Sequence, residues 1–463
     1  ELTPDIPADV LKTALNKLTT VNKITPPFQA NREMMKNLTL GVKIDITLLD
    51  GKHEPQYIKV IDWEHHEHND FLVVSQLWIQ GDVYRLRPDL IIFVNGLPLV
   101  LIELKNSNIQ VKQGYADNLT RYKKAIPDLF LYNAFLIVSN GRKTRIGSTF
   151  ASWEFFFPWF RVIDEKQKID KENIENDGRS LDYAIKGLLH PKNLIDYIDN
   201  FIFFYNDVTK ICAKNHQFLG VNHAIDRFAY LREEIKKGVQ NEELNKLGVF
   251  WHTQGSGKSF SMILLARKIM RRFQGNYTFL IVTERDDLDE QIYKNFLRSG
   301  VIGEKDNCRP ANSSALRSAL ATNAKCIFTL IQKFRYDKGK KYPKLSDRND
   351  IIVFIDEAHR SQYKNLADNM RIGLPNAQFM AFTGTPLFGS KKLTNQWFGK
   401  NISEYNFQQA VEDEATVPLY YRKRLPQMQQ ANTTLNEDFL NIIEDENLSE
   451  QDRTRLEKEF STE

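Results

Sequence analysis

Two groups of residues have the types and spacing for phosphate chemistry. The first is HTQGSGKS, His252 to Ser259, which follows the apolar run GVFWH and precedes the helical pattern SFSMILLARKIMRRF. A glycine-rich turn between strand and helix lets backbone N–H groups converge on phosphate oxygens, so Gly255, Ser256 and Gly257 read as a phosphate cradle. Lys258 would reach the β and γ phosphates and the Ser259 hydroxyl would bind Mg²⁺, making ATP with Mg²⁺ the expected cofactor. His252 stands where the full G-x-x-x-x-G-K-[ST] pattern has its first glycine, so the match is to GSGKS. Further along, IIVFIDEAH ends an apolar strand on Asp356, the place for a Mg²⁺-holding carboxylate at the tip of a buried parallel strand. An acidic helix N-cap would look the same in isolation; paired with GSGKS, the nucleotide reading prevails.

The second group lies in RPDLIIFVNGLPLVLIELK. Asp89 begins one apolar strand, Asn95-Gly96 forms a hairpin turn, and the returning strand ends in Glu103, Leu104 and Lys105. Alternation along that strand puts Glu103 and Lys105 on one face and sends Ile102 and Leu104 into the core. Asp89 and Glu103 can hold Mg²⁺, and Lys105 beside them can orient or deprotonate an attacking water. A solvated edge strand can also end in Glu and Lys, but the hairpin and the preceding Arg87-Pro88 favour the catalytic reading. From Lys105 to Arg145 eight basic residues face two acidic ones, the local excess that phosphate contacts need, and Arg121 and Tyr122 are candidate DNA contacts there. His65, His66 and His68 in WEHHEHND read as exposed side chains of a polar loop rather than as a metal set.

The elements that must position these groups exceed one core. At 463 residues the chain is too long for a single domain, and with 42% hydrophobic and 26% charged residues it is neither disordered nor collagen-like. No apolar run approaches the roughly 18 residues that span a bilayer, so no membrane is expected. Cys212, Cys308 and Cys326 show no CxxC spacing, which fits a reducing, cytoplasmic location rather than a disulfide framework. A net charge of +4 is too small to announce nucleic-acid binding globally. The charged stretch RVIDEKQKIDKENIENDGRS reads as a surface connection. Beyond it, GVFWH, TFLIVT, CIFTLI and IIVFID alternate with helical patterns, as strands of a parallel α/β sheet do.

Asp356 to His359 match the Asp-Glu-Ala-His box, and the chain here resembles superfamily 2 helicases and translocases. The resemblance implies that Glu357 polarises the attacking water and that His359 couples the ATP site to AFTGTP, with Thr383, Gly384 and Thr385. It makes TFLIVTERDDLDEQ a DNA-backbone contact through Arg285. The Asp89, Glu103-x-Lys105 pattern resembles restriction-endonuclease-like nucleases. A nuclease ahead of such an ATPase resembles the restriction (R) subunit of type I restriction-modification enzymes, with RPDLIIFVNGLPLVLIELKN, VFWHTQGSGKS, IVTERDDLDEQ, TLIQKF and IDEAHRSQY as shared blocks.

That family implies a motor that tracks double-stranded DNA, cuts far from its recognition sequence, and assembles with methyltransferase (M) and specificity (S) subunits. Other superfamily 2 helicase-nucleases, including type III restriction subunits, share the ATPase blocks, but the latter are expected to place the nuclease after the motor. A non-cutting ATP-gated scaffold is disfavoured by the intact Asp89, Glu103 and Lys105. The expected architecture is α/β: an endonuclease domain with trailing linker over 1–185, a RecA-like ATPase domain over 186–400, and a linker with the start of a second RecA-like lobe over 401–463.

Two positions depart from the family. NLTRY puts Asn118 where a Gln is usual, with Tyr122 kept and Gln113 about a helical turn away. GVNHAIDRF offers Asn222 and His223 where an adenine-reading Gln is expected. EDEATVPLYYRKRLP resembles the start of the second lobe, but Asn432 to Glu463, with ten acidic and three basic residues, shows no arginine-rich motif. This chain alone is therefore expected to bind ATP weakly, to hydrolyse it negligibly, and to leave that acidic segment loosely docked.

Overall fold

Two kinds of strand pattern become two kinds of sheet. The computed structural model describes residues 6–20, 25–47, 53–239, 241–306, 308–336, 342–356, 363–384 and 391–418, with positions 449, 451, 452, 454 and 455. The first sheet contains β1 (Phe71–Ser75), β2 (Leu90–Val94), β3 (Leu97–Leu104), β4 (Phe135–Ser139) and β5 (Thr144–Ser148), side by side in chain order. All neighbours are antiparallel except β3 and β4. The β2–β3 connection is the expected hairpin, with Asn95 and Gly96 at φ 49° and 79°, the left-handed pair that a two-residue turn between twisted strands requires. A parallel partner needs a crossover, and the helical stretch Val111–Gln113, Gly114–Leu119 and Thr120–Ala125 supplies it. Both faces of β3 are covered: Val100 and Ile102 belong to the main core, and Leu101 packs with Leu119 and Tyr122 of the crossover.

The second sheet is parallel throughout. It contains β6 (Lys246–His252), β7 (Thr278–Thr283), β8 (Cys326–Leu330), β9 (Ile351–Asp356), β10 (Gln378–Thr383) and β11 (Asn401–Tyr405), in the order β8-β7-β9-β10-β6-β11. Every residue of β7, β9 and β10 is buried, which is why these strands read as continuous apolar runs. Because all six strands run the same way, the C-terminal ends of β6, β9 and β10 lie at one edge. The sheet continues past residue 400, where the sequence reading had placed a boundary: β11 pairs with β6, and the helix Phe407–Glu412 follows it. Nearly all of Asn432 to Glu463 lies outside the described residues. No described helix is long and apolar enough to cross a membrane.

Residues 1–417 form one compact unit and 418–463 another. Within the first unit, polar contacts join the two sheets. Arg161, 1% exposed, pairs with Glu412 at 2.7 Å and with Asp413, while Lys171 reaches Glu414 at 2.5 Å and Arg145 pairs with the same carboxylate. Burial pushes the Asp413 carboxyl up and Arg161 pulls it back. Arg161→Ala should therefore strand a buried carboxylate and cost about 3–5 kcal/mol. The shift of the urea unfolding midpoint measures this, and a loss below about 1 kcal/mol would mean the pair is not holding the sheets together.

Candidate nuclease and nucleotide sites

The first centre forms where β3 ends. Glu103 is 1% exposed; its Oε1 accepts from Lys105 Nζ at 2.8 Å and from Asn118 Nδ2, while its Oε2 is sealed from solvent without a partner. Burial raises the Glu103 carboxyl and the charge of Asp89 adds to that, against the opposing pull of Lys105 and Asn118. Asp89 is set beside it by the strand itself, because its Oδ2 accepts the Leu104 backbone N–H at 2.8 Å and its Oδ1 accepts from Gln76 Nε2 at 3.0 Å. The Lys105 backbone N–H donates to the Ser139 carbonyl at 2.8 Å, holding the lysine at the end of the β3–β4 pair.

Asp89, Glu103 and Lys105 are thus brought together. Leu104 departs from expectation: at the strand's end it lies beyond the layer that covers Ile102 and is 37% exposed.

The crossover helix completes this centre. Its middle segment, Gly114–Leu119, has π-helical bonding, and such bulges are frequent at functional sites because the widened turn re-aims side chains. Asn118 and Tyr122, one turn apart, both reach Glu103. Asn118 thus contacts Glu103, whereas Gln113 is exposed. Tyr122 is buried at 6%, and burial followed by the charges of Glu103 and Asp89 pushes its hydroxyl well up, so it supports the carboxylate rather than facing outward. Arg121 and Lys124 are exposed on the same helix. Lys123 lies over the Tyr115 ring, and burial brings its ammonium down to about 8.

The second centre occupies the edge of the parallel sheet. After β6, Gly255 and Gly257 adopt φ 78° and 87°, and the helix Lys258–Arg272 begins immediately afterwards. A Cβ on Gly257 would lie 2.8 Å from Gln217 Nε2, whose amide donates to the Gly257 carbonyl at 3.1 Å. Ser256 Oγ donates to the Thr253 carbonyl at 2.6 Å, closing the turn. The adjacent strand β10 ends at Thr383, and a Cβ on the next residue, Gly384, would lie 3.0 Å from Lys258 Nζ. Asp356, 8% exposed, ends β9, the next strand over. GSGKS, Asp356 and Gly384 thus share one strand edge, where α/β sheets bind ligands. Arg285 caps the helix Asp286–Arg298 and pairs with Asp287 at 2.8 Å, both exposed. Glu357, His359 and Thr385 lie outside the described residues.

Asn222 and His223 do not attend the phosphate loop. Asn222 accepts from Lys268 Nζ at 2.5 Å and donates to Asp196 at 3.2 Å, and His223 faces Glu165 at 3.3 Å. The residues that brace the loop, missed from sequence, are His216 and Gln217 at the start of the helix Asn215–Lys236. Their signal was three consecutive polar residues opening a helix, each of them buried.

Residues 216–453 match the SWI2/SNF2 ATPase family model. The chain belongs to the SWI2/SNF2 ATPase family. Residues 2–155 match the Type I restriction enzyme R protein N terminus, so both halves of the resemblance read from the motifs are met. The chain is 37% identical to the type I restriction enzyme HindI endonuclease subunit of Haemophilus influenzae over 445 residues, 91% of this chain and 41% of that protein. It is 35% identical to the putative type I restriction enzyme MjaIXP endonuclease subunit of Methanocaldococcus jannaschii over 455 residues, 93% of this chain and 42% of that protein. The chain thus spans about two-fifths of the length of these relatives.

In this SWI2/SNF2 ATPase the first centre depends on the close approach of the π-helical turn to β3 and β4. A Cβ on Gly114 would meet Val138 Cγ1 at 2.8 Å and Lys105 Cγ at 3.3 Å. Gly114→Ala should therefore overpack the centre, costing about 1–3 kcal/mol and displacing Lys105. Thermal melting of the chain measures the cost, and an unchanged melting temperature would contradict the packing argument.

Proposed function

We propose that this chain is the motor and nuclease subunit of a type I restriction enzyme, coupling ATP hydrolysis to translocation of double-stranded DNA and to cleavage far from the recognition sequence. The carrying observation is that one chain combines the Asp89, Glu103, Lys105 centre with a phosphate loop beside Asp356 and Gly384. In this reading M and S subunits supply target recognition, and Arg121 and Arg285 contact the DNA backbone.

The donor set at the first centre suits Mg²⁺, because Glu103 Oε2 is a buried carboxylate oxygen lacking a partner and Asp89 stands beside it. When bound, Mg²⁺ would supply Lewis-acid activation of the phosphodiester and of water. Asn118 and Tyr122 fix the Glu103 carboxylate. Lys105 Nζ, held 2.8 Å from Glu103, orients the attacking water and moves its proton.

At the second centre Gly255, Ser256 and Gly257 cradle the phosphates of ATP at the helix N-terminus, and Lys258 neutralises their charge. Ser259 and Asp356 would hold Mg²⁺ there, Glu357 orients the hydrolytic water, and His359 with Thr383 to Thr385 couples hydrolysis to movement.

Lys258→Ala removes the cation at the developing phosphoryl charge, a loss of about 2.7–4 kcal/mol or more, so ATPase should fall at least a hundredfold in the enzyme assembled with M and S subunits. Cleavage of unmethylated plasmid should fail with it, although the first centre is untouched. Normal cleavage by this variant would overturn the coupling.

A further inference from the structure

Asp62, His65 and His68 form a third group of potential ligands, in the loop beside the Asn95-Gly96 turn. Glu103 lies at the opposite end of β3, roughly 20 Å along an extended strand. Neither centre uses this loop.

The geometry points to a transition-metal site at Asp62, His65 and His68, of the kind that takes Zn²⁺. One donor atom from each side chain lies within 4.8 Å of the other two. Asp62 Oδ2 is 2.8 Å from His68 Nδ1 and 3.7 Å from His65 Nδ1. Ligands about 2.0–2.1 Å from a tetrahedral Zn²⁺ stand roughly 3.3–3.4 Å apart, so the two separations bracket the required spacing. Small rotations of the two rings suffice to close the site.

The carboxylate is aimed before any ion arrives. Asp62 Oδ1 accepts the backbone N–H of Glu64 at 3.0 Å and of His65 at 2.9 Å, which turns Oδ2 toward the imidazoles. The loop is closed by Asn69, whose Oδ1 accepts the Asp62 N–H at 2.9 Å and whose Nδ2 donates to the Asp62 carbonyl at 2.8 Å and the His66 carbonyl at 3.3 Å. Asn95 in turn donates to Asn69 Oδ1 at 2.9 Å, tying the loop to the hairpin. Outer bonds of this kind orient metal ligands.

Imidazole donors select Zn²⁺, Co²⁺ or Ni²⁺ over Mg²⁺ or Ca²⁺, which separates this site from the two Mg²⁺ positions. His66 turns the other way, 3.0 Å from Glu67, and serves as an internal control. Trp63 Nε1 donates to the Leu38 carbonyl at 3.1 Å, so an ion here would clamp a loop that already joins the helix Pro27–Leu40 to the first sheet. His65 and His68 are exposed, as expected of a polar loop, whereas His66 is half-buried. Asp62, three residues before His65, is what that reading lacked.

Titration of the untagged 463-residue chain with ZnCl₂ by calorimetry, and with CoCl₂ by visible absorption, tests the site. One tight ion per chain is expected. Asp62→Asn, His65→Ala and His68→Ala should each weaken binding at least tenfold, while His66→Ala leaves it unchanged. Metal-free melting temperatures check that the variants fold, and Zn²⁺ should raise the melting temperature of the parent but not of His65→Ala or His68→Ala. Binding that survives both His65→Ala and His68→Ala, or that falls equally with His66→Ala, would overturn the assignment.

Discussion

The two sheets meet along a buried polar seam, and the phosphate loop hangs from it. His252, at the end of β6, donates through Nε2 to Ser403 Oγ at 2.6 Å, and Ser403 donates on to Glu165 of the segment leaving the first sheet. His216 donates through Nε2 to the Ser256 carbonyl at 2.9 Å and stacks on Tyr405, with ring centroids 3.9 Å apart. Burial pushes the imidazole of His216 down to about 3 and that of His252 well below its ordinary value, so both are neutral and each keeps a fixed donor. Phosphate-loop backbone, parallel sheet and inter-sheet segment are therefore one hydrogen-bonded body. Half-satisfied networks of this kind are costly, which restricts how either sheet can move without the other.

The seam joins two centres built on opposite electrostatic terms. The first concentrates carboxylate charge in a dry place: Glu103 and Asp89 are held together although burial and mutual repulsion disfavour ionisation of Glu103, and Lys105 with Asn118 offsets only part of that. The second concentrates positive potential, with a helix N-terminus and Lys258 at a strand edge and Asp356 as the acidic counterpart. The proposed function gives both arrangements to phosphoryl transfer, and because they are built on different sheets they can be disabled separately.

Much of this was legible in the sequence because it is set locally. Asn95-Gly96 demands its turn, the apolar runs of β7, β9 and β10 demand burial on both faces, and the glycines of GSGKS demand positive φ before a helix. Once β3 is a strand paired with β2, Asp89, Glu103 and Lys105 come together without further instruction. What stayed hidden depends on tertiary approach. Alternation misplaced Leu104, which is 37% exposed at the strand's end, where no described element covers it. The standing of Asn118 follows from a π-helical turn that Gly114 permits, and neither helical bonding type nor close approach has a periodic signature. Asn222 and His223, expected from the resemblance at the adenine-reading position, pair with Asp196, Lys268 and Glu165, whereas Gln217 is set by the fold against Gly257. The buried place of Tyr122 and the joining of β11 to β6 are long-range facts of the same kind.

Lys105→Ala tests the central claim, one chain with two separable phosphoryl-transfer centres, most directly. In the enzyme assembled with M and S subunits, plasmid cleavage and ATP hydrolysis are measured on the same preparation. Cleavage should be abolished while ATPase and DNA tracking stay near the parent level, because Lys105 follows β3 of the first sheet and Lys258 opens the helix after β6 of the second. Parallel loss of ATPase and cleavage, or cleavage that persists, would contradict it.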